Sequence, residues 1–235
     1  MHNNNIASVL TRTDTWRGHS QRLPRSTIAT GHGHLDRLLQ GGWPLSALSE
    51  LLPQQPGIGE LSLLLPTIKY YADNHQLCVW LDPPYQPYAP TLVAAGIALD
   101  KLLIVRSKSP AEWLWAAEQS IRSGALLLAW TKQKPPCYAD LRKLQLAAAN
   151  SNNAAFLFST PNALAAPSPV ALRLELQSLQ VNQLLLTVRK MRGTASGEQL
   201  QLRLGEASTQ RTAFTQLPAD RHHGYSNHAV MSLNS

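Results

Sequence analysis

Glu50-Leu51-Leu52-Pro53-Gln54-Gln55-Pro56-Gly57-Ile58-Gly59-Glu60-Leu61-Ser62 is the stretch on which the reading of this chain turns. The residues leading into it, Leu45 to Leu52, are apolar apart from a few polar interruptions such as Ser46 and Ser49, and read as a strand. Those after it, Glu60 to Asp73, read as a helix, with Pro66 implying a kink or a shortened element. A strand, a glycine-bearing loop and a helix form the setting of the phosphate-gripping motif G-x-x-x-x-G-K-[ST]. There, loop amides cradle the phosphates, the lysine neutralises them and the hydroxyl binds magnesium. With Gly59 as the second glycine, Gln54 falls at the first, Glu60 at the lysine and Leu61 at the hydroxyl. A carboxylate at the lysine position repels phosphate. Gly57 and Gly59 leave two readings open: amides at a helix start that bind an anion, or glycines that only permit the turn. Glu60 in the first helical turn also suits the helix dipole.

Working outward, strands and helices alternate. Leu77–Leu81, Leu102–Val105, Ala125–Trp130 and Ala154–Phe158 are continuous apolar runs, as in strands buried on both faces of a parallel sheet. Between them lie helical stretches at Tyr88–Gly96, Ala111–Ser123 and Ala139–Asn150, the second opened by Ser109 and Pro110 as cap and first residue. This alternation predicts an α/β protein with a parallel sheet. Ala171–Leu179, Leu184–Lys190 and Leu200–Leu204 have no helices between them, so antiparallel strands are expected at the C-terminal end. A short helix is expected within Thr30–Leu39, ended by Gly41-Gly42. The expected division is a basic arm over 1–26, a core over 27–204 and a disordered polar tail over 205–235.

The formal charge is +7, in patches: Arg12, Arg17, Arg22 and Arg25 in the arm; Lys132, Lys134, Arg142 and Lys143; and Arg189, Lys190 and Arg192. Such patches contact phosphate backbones or acidic partners, or simply keep a surface solvated. Trp16 is the exception in the polar arm, and an isolated Trp of this kind commonly docks on something. Cys78 reads as a small buried hydrophobe and Cys137 as a loop residue; neither a disulfide nor a zinc site is expected. His32, His34, His222 and His223 lack companion carboxylates at ligand spacing. No run of about 18 apolar residues is present, and Met1–Asn5 lacks the blocks of a secretory signal. The expected location is the cytoplasm, with no membrane partner.

Several stretches carry a resemblance. Thr30-Gly31, Leu35-Asp36, Gly41-Gly42 and Pro44 look like the lead-in to the core of the RecA-like ATPases, and the element order from Thr30 to Leu204 is similar to that core. The resemblance implies a P-loop-type fold: a mostly parallel sheet with helices on both faces and antiparallel strands at its end. It also places a catalytic glutamate after Leu77–Leu81, where the chain has Asp82-Pro83-Pro84, and a magnesium-holding aspartate after Leu126-Leu127-Leu128, where it has Ala129-Trp130. A narrower likeness is to ImuA, the RecA-related family of bacterial mutagenesis cassettes. It rests on Trp16-Arg17-Gly18-His19, Gly41-Gly42-Trp43-Pro44, Pro56-Gly57-Ile58-Gly59-Glu60-Leu61, Pro83-Pro84, Trp115-Ala116-Ala117-Glu118-Gln119, Leu144-Gln145-Leu146-Ala147-Ala148 and Leu172-Arg173-Leu174.

This resemblance implies a non-catalytic accessory protein of the SOS response that supports error-prone translesion DNA synthesis by protein–protein contacts and needs no cofactor. Its implied partners are an ImuB-like Y-family polymerase homologue and an error-prone replicative-type polymerase, with RecA and DNA as further ones. The alternative is a SulA-like cell-division inhibitor acting on FtsZ. The expected degenerate loop is Pro56, Gly57, Gly59 and Glu60, with no catalytic or metal residues. Candidate partner or DNA contacts are Trp16, Arg17, Arg189, Lys190 and Arg192, although Arg189 and Lys190 are expected on opposite faces of a strand. Trp113 and Trp115 cannot share a helix face, and the sequence leaves open which is exposed. A further alternative is a divergent but active ATPase whose lysine comes from elsewhere, such as Lys69, over two helical turns from the loop.

Overall fold

The computed structural model describes residues 26–131, 135–191, 194–205, 214–215 and 230–232. Trp16, Arg17 and Arg192 lie outside the described residues. Thr27–Ile28 (β1) pairs antiparallel with Trp43–Pro44 (β2), and between them lies a short helix, Gly33–Leu38 (α1). The alternating body follows: Ala47–Pro53 (β3), Glu60–Asp73 (α2), Cys78–Leu81 (β4), Gln86–Pro87 (β5), Ala89–Ala94 (α3), Leu102–Arg106 (β6), Pro110–Arg122 (α4), Leu126–Trp130 (β7), Tyr138–Ala149 (α5) and Ala154–Phe158 (β8). It ends in Leu172–Gln180 (β9), Gln183–Met191 (β10) and Gln199–Arg203 (β11). Two short strands lie in the stretch expected as a polar tail: Phe214–Thr215 (β12) against β5, and Val230–Ser232 (β13) parallel to β6.

The main sheet has the order β11-β10-β9-β3-β8-β7-β4-β6-β13. From β9 to β13 every pairing is parallel, and β10 runs antiparallel to both β9 and β11. This is the α/β, mostly parallel sheet with antiparallel strands at its C-terminal end that the alternation predicts. Of the three final segments, the first, β9, joins the parallel set beside β3.

Side-chain alternation divides the core in two. Cys78 and Trp80, Leu126 and Leu128, and Phe156 and Phe158 point to the face covered by α1, α2 and α3; Val79, Leu81, Leu127 and Leu157 point to the face covered by α4 and α5. The period of two along each strand therefore buries both faces, which is why these strands read as unbroken apolar runs. Farther out, Leu174, Leu186 and Val188 are buried on the first face only, while the residues between them, such as Arg173, Glu175 and Thr187, are polar.

The lead-in to the loop is a packing device. Gly42 has φ of +120°, and a Cβ there would stand 2.1 Å from the Ile28 carbonyl oxygen, so only glycine lets β1 and β2 approach. The approach seats Trp43, fully buried, edge-on against Phe156 at 5.2 Å. Pro66 does not shorten α2, which runs its full 14 residues. A Cβ on Gly31 would meet the Pro66 ring at 2.3 Å, so the proline packs beneath that glycine.

Candidate functional site

The Gln54–Gly59 loop leaves the C-terminal end of β3, between β8 and β9, and delivers the chain to the N-terminus of α2. In open parallel α/β sheets this edge, beyond the carboxyl ends of the strands, is where ligands are placed. Gly57 and Gly59 both adopt positive φ, +82° and +111°. That geometry turns the two amides toward one point, as in the backbone concavities, or nests, that bind anions.

The nest is filled by the chain itself. Glu60 is 3% exposed. Its carboxylate accepts hydrogen bonds from the Gly57 amide at 2.9 Å and the Gly59 amide at 3.2 Å, one on each oxygen. The negative charge also sits at the positive end of a 14-residue helix. Both alternatives left open by the sequence are thereby resolved: the amides do bind an anion, and it is the side chain of the residue at the lysine position. The two glycines differ in the space around them. A Cβ on Gly57 meets nothing within 4 Å, whereas one on Gly59 would lie 2.9 Å from Leu204 Cδ1.

Beside the loop lies a cavity of about 390 Å³ bounded by the ends of β3, β4, β6, β7 and β8. Asp82 reaches it after β4, with φ of +52°. Its carboxylate accepts from the Ser107 amide at 2.8 Å and from the Ser107 hydroxyl, so it ties the end of β4 to that of β6. Arg106 donates to the Pro83 carbonyl, and burial lowers its pKa. At the end of β7 stands Trp130, stacked on Phe158 at 4.5 Å with an interplanar angle of 9°. An aromatic wall thus occupies the place that the RecA-like resemblance gives to a metal-holding carboxylate. Among the described residues, no group of three or more His, Cys, Asp or Glu side chains could hold a metal ion. Lys69 is turned away from the loop: it pairs with Asp73 at 3.1 Å and reaches the Gly96 carbonyl at 3.5 Å.

Arg189 and Lys190 are both exposed, contrary to strict alternation. The register shifts between Val188 and Lys190, a bulge that breaks the period of two and puts both outside. Their charges are engaged within the protein. Arg189 pairs with Glu175 on the neighbouring strand at 2.6 Å, and Lys190 donates to the Ser168 carbonyl. Partial burial, then the nearby Arg173, lowers the Lys190 pKa.

Sequence reasoning missed the role of Arg173. It stands directly opposite Glu50 on β9, and its Nε donates to that carboxylate at 2.6 Å with both side chains almost wholly buried. Arg173 also donates to the Ala163 and Ala166 carbonyls. The pair anchors the strand leading into the loop. An acidic residue inside a strand otherwise buried on both faces was the available signal. Between the two tryptophans of α4 the structure decides: Trp113 is buried and its Nε1 donates to the Trp130 carbonyl at 3.0 Å, while Trp115 is 52% exposed.

No protein-family model matches the chain, and no curated protein shows significant similarity to it. The fold and the site define an α/β protein with a mostly parallel mixed sheet and a strand–loop–helix anion nest closed by its own glutamate. No helix among the described residues is long and apolar enough to cross a membrane.

Proposed function

We propose that this chain is a non-catalytic accessory protein of the bacterial SOS response, built on a RecA-like frame, that supports error-prone translesion DNA synthesis through protein–protein contacts. The observation that carries the non-catalytic half is the Glu60 carboxylate seated on the Gly57 and Gly59 amides. A nucleotide phosphate would have to displace a tethered anion and would meet Glu60 where a phosphate-binding loop has its lysine. Trp130 in place of a metal-holding carboxylate, and Asp82 committed to Ser107, support the same reading. The sequence likeness to ImuA over residues 15–204 supports the cellular setting, a cytoplasmic one. It makes an ImuB-like polymerase homologue and an error-prone replicative-type polymerase the first partners to test, with RecA and DNA after them.

Surface features support this reading. Trp115 projects from α4 and Leu146 from α5, both more than half exposed, and the two helices pack on one face of the sheet. Large exposed aromatic residues are the common anchors of protein interfaces. The test is to capture the intact protein from DNA-damaged cells and to measure damage-induced mutation with and without it. Recovery of an error-prone polymerase subunit, with mutation frequency falling when the protein is removed, is the expected result. Recovery of FtsZ with filamentous cells on overexpression would overturn it in favour of a division inhibitor.

A further inference from the structure

The outer surface of the α4–α5 pair sets exposed apolar side chains among exposed bases. Along α5, Tyr138, Arg142 and Leu146 stand at i, i+4 and i+8, so they form one stripe, and all three are exposed. Along α4, Trp115, Gln119 and Arg122 form a second exposed stripe. The seam between the helices is marked by Glu118, which is buried and takes Arg122 of its own helix at 2.9 Å and Lys143 of α5 at 2.7 Å. Trp115 lies one turn before Glu118, and Leu146 one turn after Lys143. Both helices return between parallel strands and so point the same way. The two apolar anchors are therefore offset by six residues, about 9 Å, along the seam. On a docked helix, positions i and i+7 are about 10.5 Å apart, so one apolar stripe reaches both anchors.

The charges of this surface say what kind of helix fits. The formal charges of α4 and α5 cancel, but the carboxylates are committed elsewhere. Glu112 accepts the Lys108 amide at 2.7 Å and Asp140 the Cys137 amide at 3.0 Å, each at a helix N-terminus, and Glu118 is buried in the seam. Arg122, Arg142 and Lys143 are exposed. Arg142 and Lys143 stand one turn from Leu146, and Arg122 converges on the same seam through Glu118. A partner therefore meets an apolar centre with a basic rim, whose complement is apolar with an acidic rim. A second copy of this chain, with a net charge of +7 and the same surface, would set like charges against each other.

We infer that the α4–α5 surface docks an amphipathic helix of a partner protein, with an apolar stripe over Trp115 and Leu146 and Asp or Glu residues facing Arg122, Arg142 and Lys143. The inference rests on the proposed binding role and adds the chemistry of the partner to it.

The experiment places photoreactive benzoylphenylalanine at Gln119, on the α4 stripe but outside the anchors. The full chain is irradiated in DNA-damaged cells and the crosslinked peptide is identified by mass spectrometry. The expected crosslink is to a segment of another protein with apolar residues at helical spacing and an excess of Asp and Glu. Its yield should fall at least about tenfold with Arg142→Glu, since a like-charge contact opposes docking, and persist with Arg142→Lys. Both variants should keep the thermal midpoint of the parent, as exposed positions do. Such a segment in a protein without a role in mutagenesis would sustain the docking surface and overturn the proposed function. A segment poor in acids, from a mutagenesis protein, would do the reverse. Crosslinks to this chain itself or to nucleic acid, no crosslink, or a yield indifferent to Arg142→Glu would overturn the inference.

Discussion

The Glu60 carboxylate accepts the Gly57 amide hydrogen at 2.9 Å, across the turn that a phosphate-binding loop would leave open. The following contact, from the Gly59 amide at 3.2 Å, uses the other oxygen. Glu60, which the sequence places at the lysine position of such a loop and at the positive end of a helix, is thus also the anion that the loop amides hold. The loop keeps the backbone shape of an anion site because it still has an anion to bind.

Replacing Glu60 with Gln keeps the shape of the side chain but removes its charge and presents an NH₂ to one of the two amides. Hydrogen bonds to charged groups contribute about 1.5–3 kcal/mol each, so a loss of that order is expected for Glu60→Gln. The urea midpoint should fall with an unchanged m value. An unchanged midpoint would mean that the contact contributes nothing.

Glu50 and Arg173 form the buried ion pair between β3 and β9. Breaking it from one side, as in Arg173→Met, leaves a buried unpaired carboxylate and is expected to cost about 3–5 kcal/mol. Glu50→Leu combined with Arg173→Met should recover most of that loss, since a matched apolar pair of similar volume is often neutral. Denaturant unfolding of the two single variants and the double variant measures the coupling. A double variant as unstable as the sum of the singles would contradict the assigned pair.

Much of this fold is legible in the sequence alone. The Glu60–Asp73 helix and the Ala154–Phe158 strand carry the boundaries read from the sequence, and Ser109 caps α4 as read, because apolar runs and caps act locally. The two-residue strands β1, β2, β5 and β12 are not legible there, being too short to show a period. The bulge at Arg189 is hidden for a different reason: it depends on register against β9, which a single strand does not encode. At the candidate site, glycines and a misplaced acid are visible, but their joining into one filled nest is not. That requires the positive φ values of Gly57 and Gly59, which turn both amides toward one carboxylate.

Trp113 and Trp115 should separate sharply on truncation. Trp113 is buried at 7% exposure, so Trp113→Ala is expected to cost about 3–5 kcal/mol. Trp115→Ala should stay within about 0.5 kcal/mol in stability, as for a surface position. Its effect is expected in binding, as a loss of captured partner with the thermal midpoint unchanged. Equal destabilisation by the two substitutions would contradict the assignment of faces.

Two groups set the expected acid sensitivity. Burial lowers the His32 pKa below its ordinary 6.5. As the pH falls through about 6.5, the unfolded chain takes up a proton that folded His32 resists, so stability declines until the lower folded value is passed. Hydrogen bonds from Lys143 and then Arg122 hold Glu118 below its ordinary 4.5. Its contribution is present above 4.5 and is lost as the pH falls through the lowered folded value. Urea midpoints from pH 8 to pH 3 should show both declines. His32→Gln should flatten the upper one, and Glu118→Gln the lower. A midpoint that rises on acidification through either window would contradict both the direction of the shift and its cause.

The most direct test of the filled nest is calorimetric titration of the intact protein with magnesium ATP. No saturable heat is expected at millimolar nucleotide, because the Gly57 and Gly59 amides already hold the Glu60 carboxylate. Stoichiometric binding that disappears when Gly59 is replaced by a bulky residue would contradict it, and would return the loop to the nucleotide-binding class.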